Sequence, residues 1–308
     1  MNSFENHAGF NIFSSRLQVV EINFKSGQFL LENVDEAYFN EHLNLENDKE
    51  TKINSQLQCA YNELLVRKSF KCNFVSFTLP LDLFKIMQVP YDNTLLNQDL
   101  LEEFRWEFSI LYPHLPINDL VIQYIEIDKN KINEAGAAIV IGIPRKFLQI
   151  IHNFCTFNKL KIRFIDNVHI ASDRALFVSN ILQTKGLILS VYYSGNNLSV
   201  IYSYDCKPVY FKIIPINDAG QITHLLLDEI NNNKYIGVNK NIIKNAYIAG
   251  EDLSVSLAKS LSDAIGLDFN FFNPFTLIKP ETNLRQNKCF IERYNSFSSA
   301  TGIALRLA

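Results

Sequence analysis

The sequence has no apolar run near the ~20 residues needed to cross a bilayer, the longest lying around 135–143. Its N-terminus has no basic segment followed by an apolar one. A cytoplasmic chain without membrane insertion is therefore expected. Positive charge is not in excess either. Lys plus Arg number 29 against 32 Asp plus Glu, a net charge of -3, so the basic field that would attract nucleic acid or anionic lipid is missing. The five cysteines (Cys59, Cys72, Cys155, Cys206, Cys289) stand singly, without C-x-x-C or a histidine at metal spacing, which argues against a zinc site or a disulfide framework and for buried thiols. The six histidines are equally dispersed. G-x-S-x-G, G-x-G-x-x-G, Walker A and H-E-x-x-H are all absent, so the simplest hydrolase, dehydrogenase, P-loop and metalloprotease readings fall away.

What is present is a large core and a repeated order of elements. With 308 residues, 47% hydrophobic and 20% charged, the chain can form two or three domains. Three short strands are predicted at 10–13, 17–24 and 28–32, with Val20, Ile22 and Phe24 on one face of the second. A helix carrying Leu57, Tyr61, Leu64 and Leu65 follows, then a strand at 73–79. In "NQDLLEEFRWEFSILYPHLP" a helix stripe runs through Leu101, Phe104, Phe108 and Leu111, with Asn97 as expected N-cap and Pro113 as stop. Strands "DLVIQYIEID" and "AAIVIGIP", helix "RKFLQIIHNFCTF" and strand "KLKIRFID" complete an α+β insert. After a linking helix at 170–184 the opening pattern returns: strands "LILSVYY", "NLSVIYSYD" and "PVYFKIIPI", then a helix, a strand, a helix and a last strand. The expected fold is an α/β, duplicated ribonuclease-H-like core with an α+β insert, the layout of actin-like ATPases.

Local sequences carry the resemblance further. "GFNIFSSRLQVVE" is similar to G-I-D-I-G-S-S-S-I-K-V-V-E of the PilM branch of actin-like proteins, relatives of FtsA in type IV pilus assembly. "LLEEFRWEFSILYPHLPINDLVIQY", "DNVHIASDRAL", "NAYIAGEDLSVSLAKSLSDAIGLDFNFFNPF" and "SATGIALRLA" resemble later stretches of that family in the same order. The resemblance implies subdomain 1A at 1–75 plus 167–186, an inserted subdomain 1C at 76–166, subdomain 2A at 187–295 with 2B largely missing, and a C-terminal helix at 296–308 packed between the halves. It also implies two ligands. One is ATP with Mg²⁺ between the halves. The other is the short cytoplasmic N-terminal tail of a bitopic inner-membrane partner, PilN, held between 1A and 1C.

At the positions matching the family's nucleotide site the residue types have changed. The first turn has Asn11 for the metal-holding aspartate and Phe13 for glycine, keeps Ser14 and Ser15, and continues with Arg16 and Gln18. The second has Ser190 for the other aspartate, with Tyr192 and Tyr193 at small positions before Gly195. The adenosine side keeps Gly250 but places Glu251 and Asp252 where further glycines are usual. Mg²⁺ needs carboxylate charge and phosphate needs open backbone N-H groups, so both are lost. The expectation is a non-catalytic pseudo-ATPase scaffold without a cofactor, lying at the inner face of the membrane through its partner and leaving room for self-association. The alternatives are an active ATP-binding protein using Asp166, Asp173 or Glu251 for metal, and a type II secretion scaffold. Trp106 is read as buried between subdomains, with contact to a partner peptide as the alternative. The acidic run Asp99, Glu102, Glu103, Glu107 is read as a solvated face.

Overall fold

The structure is a computed structural model that describes residues 4, 6–92, 94–179, 185–233 and 240–306. Strands β1 (His7–Ile12), β2 (Arg16–Lys25) and β3 (Gln28–Tyr38) make an antiparallel meander. Helix α1 (Glu50–Arg67) carries the chain back so that β4 (Phe74–Leu79) lies parallel to β1. An insert follows: β5 (Lys85–Pro90), α2 (Asn97–Leu111), β6 (Leu120–Ile127) and β7 (Ala137–Pro144), a three-stranded antiparallel sheet in the order β5-β7-β6. Helix α3 (Arg145–Phe157) and β8 (Lys161–Asn167) return to the first sheet, where β8 pairs parallel with β4.

Helix α4 (Val168–Ser179) leads into the second half. There β9 (Leu187–Ser194), β10 (Asn197–Tyr204) and β11 (Lys207–Pro215) form a second meander, followed by α5 (Ile222–Asn232), β12 (Ile243–Gly250), α6 (Val255–Ile265) and β13 (Phe269–Phe271). The second sheet has the order β11-β10-β9-β12-β13 and the first β3-β2-β1-β4-β8, the same topology twice. Strand β14 (Lys279–Pro280) adds an edge beside β3, and α7 (Lys288–Ile291) and α8 (Ser298–Ala304) close the chain. Between β11 and β12 the described residues form only α5 and two short 3-10 turns. Helix α6 shows why sequence signals sufficed locally: Ser254 Oγ accepts from Leu257 N at its start, and Gly266 takes φ 72° at its end.

The expected insert boundaries need correction. Strand β4 and strand β8 belong to the first sheet, because β1 pairs with β4 and β4 with β8, so the insert's own elements run from β5 to β7 rather than over 76–166. Strand β5 was not predicted: "KIMQVP" lacks clean alternation and forms an edge of the small sheet. Asn97 is the first helical residue of α2 and caps nothing; its side chain accepts from Tyr124 OH at 3.1 Å. In the linking helix, 180–184 lies outside the described residues, as does Leu307 of the closing one.

Strand β7 is packed on both faces, as its continuous apolar run requires. Ala138 and Val140 meet Phe104 and Phe108 of α2, whereas Ile139 joins the core of the second half and Ile143 that of the first. The insert is thereby wedged against both halves. On the opposite side of the first sheet α8 presses into α4. At Gly302 an added Cβ would lie 1.6 Å from Ala171 O, a distance no side chain tolerates. Gly302→Ala is expected to lower stability by about 3 kcal/mol, the upper range for overpacking a core, read as a fall in the urea midpoint with an unchanged slope.

Candidate functional site

The cleft between the halves is where an actin-like fold would hold nucleotide, and its residues are engaged with one another. In the first turn Asn11 is fully buried. Thr78 Oγ1 donates to Asn11 Oδ1 (2.8 Å), Asn11 Nδ2 to Gln18 Oε1 (3.2 Å), and Gln18 Nε2 to Glu36 Oε2 (3.1 Å) and Ser296 Oγ (3.2 Å). The two amides thus form a continuous chain of hydrogen bonds. Phe13 is also buried, its ring 4.8 Å from the Arg16 guanidinium. Its backbone N-H donates to Arg16 O (3.0 Å), tightening the turn that ends at Ser14 and Ser15.

In the second half the metal-side position Ser190 faces α4 rather than the cleft. Its hydroxyl donates to Asp173 Oδ2 (2.9 Å) and lies 3.1 Å from His169 Nε2, while His169 Nδ1 lies 2.6 Å from Ser199 Oγ. Burial pushes the Asp173 carboxyl up to about 7, the Ser190 hydrogen bond opposing it in part, and pushes His169 down to about 3. Tyr192 is buried, accepting from Ser299 Oγ at 2.7 Å. Gly195 makes the β9–β10 turn at φ 56°.

The adenosine-side turn closes the cleft. Gly250 sits at φ 144°, and a Cβ there would fall 2.1 Å from Tyr193 O, so glycine is required where β12 and β9 approach. The next residue, Glu251, spans the β1–β2 and β9–β10 turns: Ser15 Oγ donates to Oε1 (3.3 Å) and Gly195 N to Oε2 (3.2 Å). Burial raises its pKa, against the pull of Arg16 at 3.8 Å. Asp252 receives a two-pronged hydrogen bond from Arg16, Nη1 to Oδ2 at 2.9 Å and Nη2 to Oδ1 at 3.0 Å, and a further one from Arg293 Nη2 at 2.5 Å. Burial works against the Asp252 carboxylate, but the two guanidiniums hold its pKa below the usual value. Arg16 also lies 3.2 Å from Glu36 through Nε, and Arg293 bridges Glu36 and Asp252.

Beside these residues lies an open cavity of about 760 Å³ lined by Ser14, His42, Asn44, Tyr193, Glu251 and Ser254. It does not suit Mg-ATP. Asn11 and Ser190 are buried amide and hydroxyl, and the Glu251 carboxylate occupies the point where both turns would meet phosphate. The alternative metal set is not assembled: Asp166 pairs with Arg174 and Arg306, Asp173 is buried against Ser190, and Glu251 bridges the turns. Among the described residues no cluster of three or more His, Cys, Asp or Glu can hold a metal.

A second concavity, about 280 Å³, lies between the first sheet and the insert. Its walls are β6 and β8, each an edge strand, with Val121, Ile125, Ile141 and Ile165 as apolar floor and Arg174 and Arg306 at a polar end. Trp106 is not there. It is 61% exposed on the outer face of α2, which corrects its predicted burial; the helix buries Leu100, Phe104 and Phe108, and among the described residues nothing covers the other side. Sequence reasoning also missed Glu36, Arg293 and Asn295. Asn295 accepts from Gly250 N and donates to Ile248 O and Phe272 O, tying the glycine turn to the chain's last segment. A charged residue inside the strand "ENVDEAY" was the one available signal for Glu36.

Two outcomes follow from these networks. Arg16→Met leaves Glu36 buried with one guanidinium fewer and is expected to cost about 3 kcal/mol in urea unfolding. The His169–Asp173 pair should be nearly silent in pH titration of stability. Unfolded, between pH 3.8 and 6.5, the histidine holds one proton; folded, the aspartic acid holds it instead. Asp173→Asn uncovers the histidine, so stability rises with pH up to about 6.5, at about 1.4 kcal/mol per pH unit. His169→Gln uncovers the aspartate, so stability falls as pH rises from about 3.8 to about 7. Thermal unfolding across this range checks both signs.

No family profile matches the sequence, and no curated protein matches it. Solved structures do. A chain of a PilM–PilN type IV pilus biogenesis complex superposes with a TM-score of 0.78 at 16% identity, covering 98% of each chain. A Bacteroides thetaiotaomicron protein of actin-like ATPase fold and unknown function gives 0.55 at 9%, again with 98% of each covered. The ethanolamine utilization protein EutJ from Carboxydothermus hydrogenoformans gives 0.52 at 7%, covering 98% of this chain and 89% of that one. The doubled sheet topology, the inserted α+β sheet and these superpositions together show that this chain has the actin-like ATPase fold, in the arrangement seen in the PilM–PilN complex.

Proposed function

We propose that this chain is a PilM-like scaffold that performs no nucleotide chemistry and holds a short tail of a PilN-like inner-membrane protein in the groove between β6 and β8. The observation that carries the reading is the groove itself: two unpaired strand edges flank an apolar floor. An extended peptide could pair its backbone with either edge and send alternate side chains into the floor. Arg174 and Arg306 share the single carboxylate of Asp166, leaving positive charge at one end. The fitting tail is therefore aliphatic, with an acidic residue at that end. The complex whose chain superposes on this one pairs PilM with PilN, which supports this partner. No described helix is long and apolar enough to cross a membrane, so a membrane position would come through the partner. The non-catalytic part is supported by Glu251 bridging the two turns.

Calorimetry with Mg-ATP is expected to show no saturable heat; a saturable signal removed by chelating Mg²⁺ overturns the non-catalytic part. A photo-crosslinking tail peptide should label β6 and β8, and Ile125→Ala should weaken its binding, with circular dichroism checking that the fold persists. Labelling confined to 187–271 would sink the groove assignment.

A further inference from the structure

The outer face of α2 is unlike an ordinary solvated helix. Asp99, Glu103, Trp106 and Ile110 follow one another along the side opposite Leu100, Phe104 and Phe108. Trp106 is 61% and Ile110 54% exposed, and Leu96 at the head of the helix 74%. Aromatic and aliphatic groups thus lie in water within a row of carboxylates, none of which is in an ion pair among the described residues. A stripe of this kind, about 17 Å long from Asp99 to Ile110 at 1.5 Å per residue, is the anatomy of an interface with an anchor residue and a charged rim.

A complementary face exists elsewhere on the same chain. Charge is segregated along the sequence. The stretch 92–128 carries eight carboxylates against Arg105 alone, and 135–165 carries five Lys and Arg with no carboxylate. In that basic stretch Phe157, at the end of α3, is 77% exposed and borders an apolar cavity of about 360 Å³ between α1 and α3, lined also by Asn54, Gln58, Asn153 and Phe154. Lys159 and Lys161 follow it, both exposed.

We infer that a second copy of this chain docks its α2 stripe on this face, Trp106 entering the cavity beside Phe157 while Glu102, Glu103 and Glu107 meet Lys159 and Lys161. The two surfaces differ and do not overlap, so the contact is head-to-tail and each copy gives one face and receives one. Trp106 supplies the anchoring area, and the opposed charges supply orientation and salt dependence. The contact uses neither the cleft nor the β6–β8 groove, so its test is independent of the proposed function.

Sedimentation velocity of the full chain tests it. The mass should grow with concentration at low salt and fall back as salt is added. Trp106→Ala and Phe157→Ser should each weaken association at least about tenfold; both positions are exposed, and circular dichroism confirms the fold. Mixed, these variants should form dimers and stop there, because one keeps only its receiving face and the other only its donating face. Glu103→Lys should weaken association, and mixing it with Lys159→Glu should restore it. A wild-type chain that stays monomeric at every concentration in low salt overturns the inference, as does a Trp106→Ala variant that associates like the wild type or a mixture that forms no dimer.

Discussion

One buried guanidinium organises the junction between the halves. Arg16 is almost fully enclosed, 1% exposed, and such a charge persists only where carboxylates and hydrogen bonds replace its water. Glu36 comes from β3 of the same sheet, and Asp252 from the turn after β12 in the other half. Because the partners belong to different halves, compensating this one charge draws the halves together. Glu251, next to Asp252, then lands on the two turns, and Arg293 ties the end of the chain to Glu36 and Asp252.

This arrangement explains why the cleft residues look degenerate one by one and coherent as a set. An aspartate in place of Asn11 would stand close to Gln18 and Glu36 in a space without solvent. The amide instead donates and accepts in a single relay. Ser190 likewise serves a buried His169–Asp173 pair that pins α4 to β9 and β10. The carboxylates at Glu251 and Asp252 supply from within the chain the negative charge that faces Arg16 and Arg293 across the cleft.

Element order was legible because strand alternation, helix periodicity and turn residues act over a few positions. The β9–β10 turn at Gly195, the α6 caps Ser254 and Gly266, and the doubled meander all follow from local rules. Strand β5 escaped because an edge strand needs no alternation, and the insert limits shifted because β4 and β8 take their sheet from a pairing with β1. Trp106 was misplaced by an argument from size alone, since its helix already had a sufficient buried stripe in Leu100, Phe104 and Phe108.

By itself the sequence determined the repeated order of strands and helices, the fold class, and the absence of the paired carboxylates that Mg²⁺ would need. The tertiary structure decided what took their place: a relay of amides, a buried Arg16 and a carboxylate across both turns. Local periodicity depends on neighbours three or four residues away. Arg16 and Asp252 meet across 236 positions of chain, and only the packing of one half on the other brings them together.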